Sequence, residues 1–149
     1  MKRVNSIFYL IISLWAITLT SCEVTEDENP QESSTTQAGF FYGENSTTTL
    51  TKADDAQVNK GSTTIIATKN NKTVVEINLT DIKAGTYSLS AKYAFTYVKD
   101  GKHWEATAGT LQITKNDGSK ISGTYEATAG AGVPAVTAVK GNFTDVPLK

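Results

Sequence analysis

The chain has 149 residues, 39% of them hydrophobic and 19% charged, with a formal net charge of −1. A single cysteine excludes an internal disulfide, and a single histidine beside it leaves too few ligands for a zinc centre. The lysines are scattered and no arginine follows Arg3, so the clustered phosphate neutralisation on which nucleic-acid binding depends is missing.

The N-terminus opens Met1-Lys2-Arg3 and continues into an apolar run from Ile7 to Leu19, 13 residues long. A helix that crosses the hydrocarbon core needs roughly 20 apolar residues. A basic start, a short apolar stretch and small residues after it describe a secretory signal peptide instead, expected over residues 1–21. Leu19-Thr20-Ser21-Cys22 resembles the bacterial lipobox, in which small residues give the peptidase access and the cysteine thiol receives a diacylglyceryl group. Cys22 is therefore the expected lipidation site, and the membrane is the expected first partner. Several acyl chains hold a protein stably where one holds only marginally.

Residues 23–37 read EVTEDENPQESSTTQ, with five acidic side chains, one proline and almost no apolar content. Such a segment cannot bury enough surface to offset its ordering, so an extended tether is expected over 22–37. Acidic residues directly behind a lipidated cysteine resemble the export tag of surface lipoproteins in Bacteroidetes. The resemblance implies an outer-membrane address facing the cell exterior, with the periplasmic face as the alternative. Removing Lys2 and Arg3 with the signal leaves 12 basic residues against 15 acidic ones, a net charge of −3.

Residues 38–149 have the length of one domain. They are rich in Thr, Val, Ile, Tyr and Phe, poor in Leu, and show no helical spacing. In chain order, strands are expected at 39–42, 47–52, 63–68, 74–79, 85–89, 91–98, 103–106, 110–115, 120–129 and 135–143. Asp54–Gln57 is expected as a single helical turn. Asn70-Asn71 is expected to join two strands, and Asp100-Gly101 and Asp117-Gly118 supply the pair that tolerates the positive backbone angles of tight hairpins. Alternation is clean in several strands. Leu111 and Ile113 share one face opposite Gln112 and Thr114, and Ile121, Gly123, Tyr125 and Ala127 share one face opposite Ser122, Thr124 and Glu126. One buried and one wet face per strand predicts an all-β fold, an antiparallel two-layer sandwich, with a calycin-like barrel as the alternative.

From Gly85 onward the chain carries an ordered series: Gly85-Thr86-Tyr87, then Gly109-Thr110-Leu111-Gln112-Ile113-Thr114-Lys115, then Lys120-Ile121-Ser122-Gly123-Thr124-Tyr125-Glu126-Ala127, and last Val139 to Val146 around Gly141-Asn142-Phe143. Together with the lipobox, this series resembles a group of uncharacterised Bacteroidetes lipoproteins with DUF6252-like domains. Tyr125 stands where phenylalanine is usual. The resemblance implies an all-β lipoprotein domain, with glycines at strand kinks and aromatics in the core. It implies no activity, no cofactor and no functional residues.

The candidate sites are few. His103 follows a turn and lacks any partner set for acid–base or nucleophilic work. Asp54-Asp55 is an adjacent acidic pair without the spacing of a calcium loop. No catalytic residue, metal ligand or cofactor is expected. Tyr93, Phe95, Tyr97 and Trp104 lie on two strands joined at Asp100-Gly101, which would bring Tyr97 and Trp104 together. Facing inward they are core, the orientation the composition favours, since a domain of this size needs large buried side chains and this one is poor in Leu. Facing outward Trp104, Tyr97 and Tyr93 form a platform for a glycan or protein partner, and Trp104 is the one expected to reach the surface because it follows Lys102 and His103. The expected function is a membrane-tethered binding module. The alternative is a structural or accessory subunit of an envelope assembly without a small ligand.

Overall fold

The computed structural model describes residues 37–149 except Tyr93. The segments expected as signal peptide and tether, with Cys22, lie outside the described residues apart from Gln37, as does Tyr93. Eleven strands are formed among the described residues, and no helix. They are β1 (Gly39–Glu44), β2 (Thr51–Lys52), β3 (Asp55–Asn59), β4 (Thr64–Lys69), β5 (Lys72–Asn78), β6 (Gly85–Ser88), β7 (Phe95–Lys99), β8 (Lys102–Glu105), β9 (Ala108–Asn116), β10 (Lys120–Thr128) and β11 (Ala138–Pro147).

Two antiparallel sheets result. One has six strands in the order β2-β1-β11-β10-β9-β6, the other five in the order β3-β4-β5-β7-β8. This is the sandwich, not the closed barrel. The sheets approach continuity at two places. Leu148 runs beside Val58 on the β3 edge, with Lys149 N–H donating to the Val58 carbonyl at 2.8 Å. Ala131 exchanges two hydrogen bonds of 3.0 Å with Glu105 on the β8 edge. Both contacts occupy edge backbone groups that would otherwise invite another chain.

The hairpin turns follow their residue types. Asn70 and Asn71 have φ of 51° and 60°, and Asp100 and Gly101 have 50° and 75°. Those paired positive angles match the twist of the flanking strands. At Asn116–Ser119, the Asp117 carboxylate instead accepts from the Ser119 and Lys120 backbone N–H groups at 2.9 and 2.8 Å. The Ser119 hydroxyl and these amides hold its pKa well below the usual carboxylate range.

Several expected boundaries are corrected. Asp54–Gln57 is no helical turn: Ala53 N–H bonds to the Phe40 carbonyl and Asp54 N–H to that of Thr68, both at 2.8 Å. Consecutive residues thus serve opposite sheets, and the chain passes from β2 into β3 through a bend at Asp54. Only Thr51–Lys52 of the expected 47–52 strand pairs, because the Thr47 hydroxyl turns back to the Thr49 carbonyl at 3.1 Å. Strand β7 starts at Phe95, after a turn closed by Ala94 N–H on Ala91. The last strand is shifted toward the C-terminus, to Ala138–Pro147.

The core lies between the sheets and is aromatic at its centre. Phe40 stacks on Phe143 and Tyr125, with centroids 6.1 and 5.3 Å away. Phe95 of the other sheet reaches Tyr125 at 5.5 Å and meets Trp104 edge-on at 6.2 Å. Such pairs add about 0.5–1.5 kcal/mol each beyond the area they bury. Opposite Gly123, β11 and β9 each carry one extra residue, and the bulge in β11 lets Phe143 and Val146 both point inward although three positions apart.

Candidate functional site

The outward face of the six-stranded sheet carries two polar rows. Antiparallel register sets Thr86 opposite Gln112, Gln112 opposite Thr124 and Thr124 opposite Asn142. One step along, Ser88, Thr110, Glu126 and Lys140 are aligned in the same way, ending at Gly43 on β1. These are the residues that alternation leaves outside once Leu111, Tyr125 and Phe143 turn inward.

A wall rises along one side of this floor. The β1–β2 loop folds back over Gly43, where a Cβ would lie 2.5 Å from the Thr47 side chain and 2.9 Å from Leu50. Any side chain at this position would have to push Thr47 and Leu50 aside, so the glycine lets the loop sit this low. The loop is pinned from behind by Asn45, which is in the left-handed region with φ of 55°. Its amide donates to the Ala135 carbonyl at 3.0 Å and accepts from the Thr137 N–H at 2.8 Å. Floor and wall enclose an open groove of about 580 Å³, within the roughly 300–1,000 Å³ range of small-molecule sites.

Two properties of the groove bear on its chemistry. Among the described residues, the Thr86, Thr110, Gln112, Thr124 and Asn142 side chains make no hydrogen bond to protein. Glu126 and Lys140 face each other across neighbouring strands, yet form no ion pair. Glu126 is the one carboxylate on the lining.

A second polar cluster closes one end of the sandwich. Glu44, at the end of β1, accepts from the Tyr97 hydroxyl at 2.6 Å and from Lys99 Nζ at 2.5 Å, tying the two sheets together. Burial pushes the Glu44 carboxyl up, but the hydrogen bonds from Lys99 and Tyr97 and the Lys99 charge outweigh it, so its pKa lies below the ordinary value of 4.5. Burial and the same carboxylate raise the Tyr97 phenol well above its usual range. A depressed folded pKa contributes stability that is fully present above the unfolded value and is lost as pH falls through the folded one. Melting temperatures between pH 7 and pH 3 are therefore expected to fall less steeply for Glu44→Gln than for the parent chain. Parallel curves would remove Glu44 from the acid sensitivity.

The aromatic platform is not formed. Tyr97 and Trp104 are register partners, as the turn requires, but both point inward: Trp104 is 0% exposed and Tyr97 5%. Lys102 and His103 are exposed at the start of β8, and His103 faces away from Trp104 because successive side chains alternate. Gly130 lies flat on the indole, which explains the cover: a Cβ there would fall 2.1 Å from the ring. His103 is exposed on β8. Asp54 is held by Lys69 at 2.7 Å and by the Asn70 N–H at 2.7 Å, so it serves the β4–β5 turn. Among the described residues no three His, Cys, Asp or Glu side chains gather as a metal site.

A family model described as "Domain of unknown function (DUF6252)" matches residues 38–147. The chain belongs to that family. The match takes in β1 to β5 as well as the C-terminal series that carries the resemblance, so the DUF6252 domain here is the whole two-sheet sandwich. No curated protein and no solved structure matches the chain. Sequence alternation marks Gln112, Thr124 and Glu126 of the DUF6252 domain as solvent-facing. It cannot reveal that Thr86, Lys140 and Asn142 join them, because that depends on which strands are neighbours.

Proposed function

We propose that this chain is a lipoprotein tethered through Cys22 to the outer membrane, exposed at the cell surface, and that it works as a binding module through the outward face of its six-stranded sheet. The tether rests on the lipobox Leu19–Cys22 and the acidic run behind it, which resembles the surface-export tag of Bacteroidetes lipoproteins. The observation that carries the binding role is the groove: preformed, walled by a pinned loop, and floored by polar side chains without protein partners. Binding is favoured over catalysis because Glu126 stands alone there, whereas acid–base cleavage of a glycosidic bond uses a pair of carboxylates. The other reading, an accessory subunit of an envelope assembly, draws on the outer edge of β6, which ends the sheet without a further strand.

Labelling cells with an alkynyl fatty acid is expected to tag the parent chain and not Cys22→Ala, and protease added to intact cells is expected to degrade the domain. An untagged parent chain would overturn the tether, and protection in intact cells would place the domain at the periplasmic face.

A further inference from the structure

We infer that the groove takes a neutral oligosaccharide, lying across the strands along the Thr86–Asn142 row. This rests on the binding reading above and specifies its ligand.

The lining excludes the other ligand classes by its chemistry. A lipid would need apolar walls, and Leu50 is the one large aliphatic side chain on the lining. Protein partners are anchored by Trp, Tyr and Arg side chains seated in desolvated pockets. None of these offers its side chain here, since Tyr125 contributes only from beneath, its ring being buried between the sheets. An added peptide strand binds a sheet edge, where backbone groups are free. The β9, β10 and β11 backbones on the floor are already committed to the ladder on both sides. An ionic ligand of either sign meets one attractive and one repulsive group, because Glu126 and Lys140 stand side by side and cancel.

A sugar matches what remains. Each sugar hydroxyl donates and accepts, and threonine hydroxyls and the Gln112 and Asn142 amides do both as well. Neighbouring strands lie roughly 4.8 Å apart, so the four positions from Thr86 to Asn142 span roughly 14 Å, room for about three pyranose rings. Glu126 and Lys140 add one strong acceptor and one strong donor in the parallel row. Leu50 and the Thr47 and Thr48 methyl groups give the wall an apolar surface for the C–H edge of a ring. With no exposed aromatic ring on the groove lining to stack on, a single site binds weakly, with a Kd on the order of 1 mM. Many copies tethered to one membrane would raise the overall avidity without new contacts.

The test uses the full chain, isotope-labelled and held in a detergent without a sugar headgroup. Cellotriose, xylotriose and mannotriose are titrated in, with trigalacturonate, a chitosan trimer and a Thr/Val-rich dodecapeptide as competitors in class. At least one neutral trisaccharide is expected to shift the amide signals of Thr86, Gln112, Thr124 and Asn142. Thr124→Arg, which fills the floor, and the paired Gln112→Ala/Asn142→Ala, which removes hydrogen bonds without bulk, are each expected to weaken that binding at least about tenfold. Gln57→Arg, on the outward face of the other sheet, is expected to leave it unchanged. Shifts in the groove from the charged trimers or the peptide alone would overturn the sugar and leave the binding face standing. Shifts confined to the five-stranded sheet would overturn both, and silence in the groove toward every probe would overturn the sugar proposal.

Discussion

Trp104→Ala is expected to lower the unfolding free energy by about 3–5 kcal/mol, the range for deleting a fully buried large aromatic. The indole has no solvent exposure, is met edge-on by Phe95 and is sealed by the backbone of Gly130. Alanine would leave a void that the surrounding chain could fill only by pulling in the Ala129–Thr137 loop, and Ala131 of that loop is fastened to Glu105 by two hydrogen bonds. The loss is a large share of a typical domain stability of about 5–15 kcal/mol, so denaturant melts at two temperatures would show it directly. Trp104→Phe sharpens the reading. The indole N–H is buried without a hydrogen-bond partner among the described residues, and a buried orphan donor costs about 1–3 kcal/mol. Phenylalanine removes that donor and keeps an aromatic edge against Phe95, so it is expected to cost clearly less than alanine. Equal losses in the two variants would overturn the cavity account, since phenylalanine leaves the smaller void. Sugar binding lost in a stable Trp104→Phe chain would move the ligand from the groove to this end of the sandwich.

Gly141→Ala is expected to be as damaging as the tryptophan deletion, at about 3 kcal/mol, the upper end for overpacking a closed interior. A Cβ at Gly141 would stand 1.9 Å from the Phe41 carbonyl oxygen and 2.7 Å from the Tyr125 hydroxyl. The first of these is backbone of the neighbouring strand and cannot rotate away. Tyr125 crosses over Gly141 so that its hydroxyl can donate to the same carbonyl at 3.1 Å, and the glycine is the space that lets the ring pass. Tyr125→Phe should cost only about 1 kcal/mol, the worth of one hydrogen bond. Adding it to Gly141→Ala should restore little, because the clash with Phe41 remains. An unchanged melting midpoint for Gly141→Ala would show that β1 and β11 are not this close. The same variant bears on the groove, since β1 carries Gly43 and with it the loop that forms the wall.

Much of the fold was legible beforehand, for reasons tied to particular residues. The parity of Ile121, Gly123, Tyr125 and Ala127 survives intact in the sheet because alternation is a property of extended backbone and needs no partner. The Asn70-Asn71 and Asp100-Gly101 turns were readable because their conformations are allowed by the residues that make them. Where the reading failed, a distant contact had decided. Asp54–Gln57 read as a helical turn, yet pairing with β4 draws Asp55–Gln57 into a strand and leaves Asp54 a bend. The favoured core reading of Phe95, Tyr97 and Trp104 holds, but what seals Trp104 could not be read locally: Gly130 lies some twenty-five residues further along.

By itself, the sequence determined an all-β domain, the faces of its individual strands and the chemistry of its tight turns, all of them consequences of local backbone preference and side-chain period. Only the tertiary structure decided that there are two sheets rather than one closed barrel, that the large aromatics meet between them, and that Thr86, Gln112, Thr124 and Asn142 from four separate strands stand in one row. The reason is that strand order is set by which apolar faces can be buried together. That is a choice made between segments far apart in the chain, and no single segment carries a record of it.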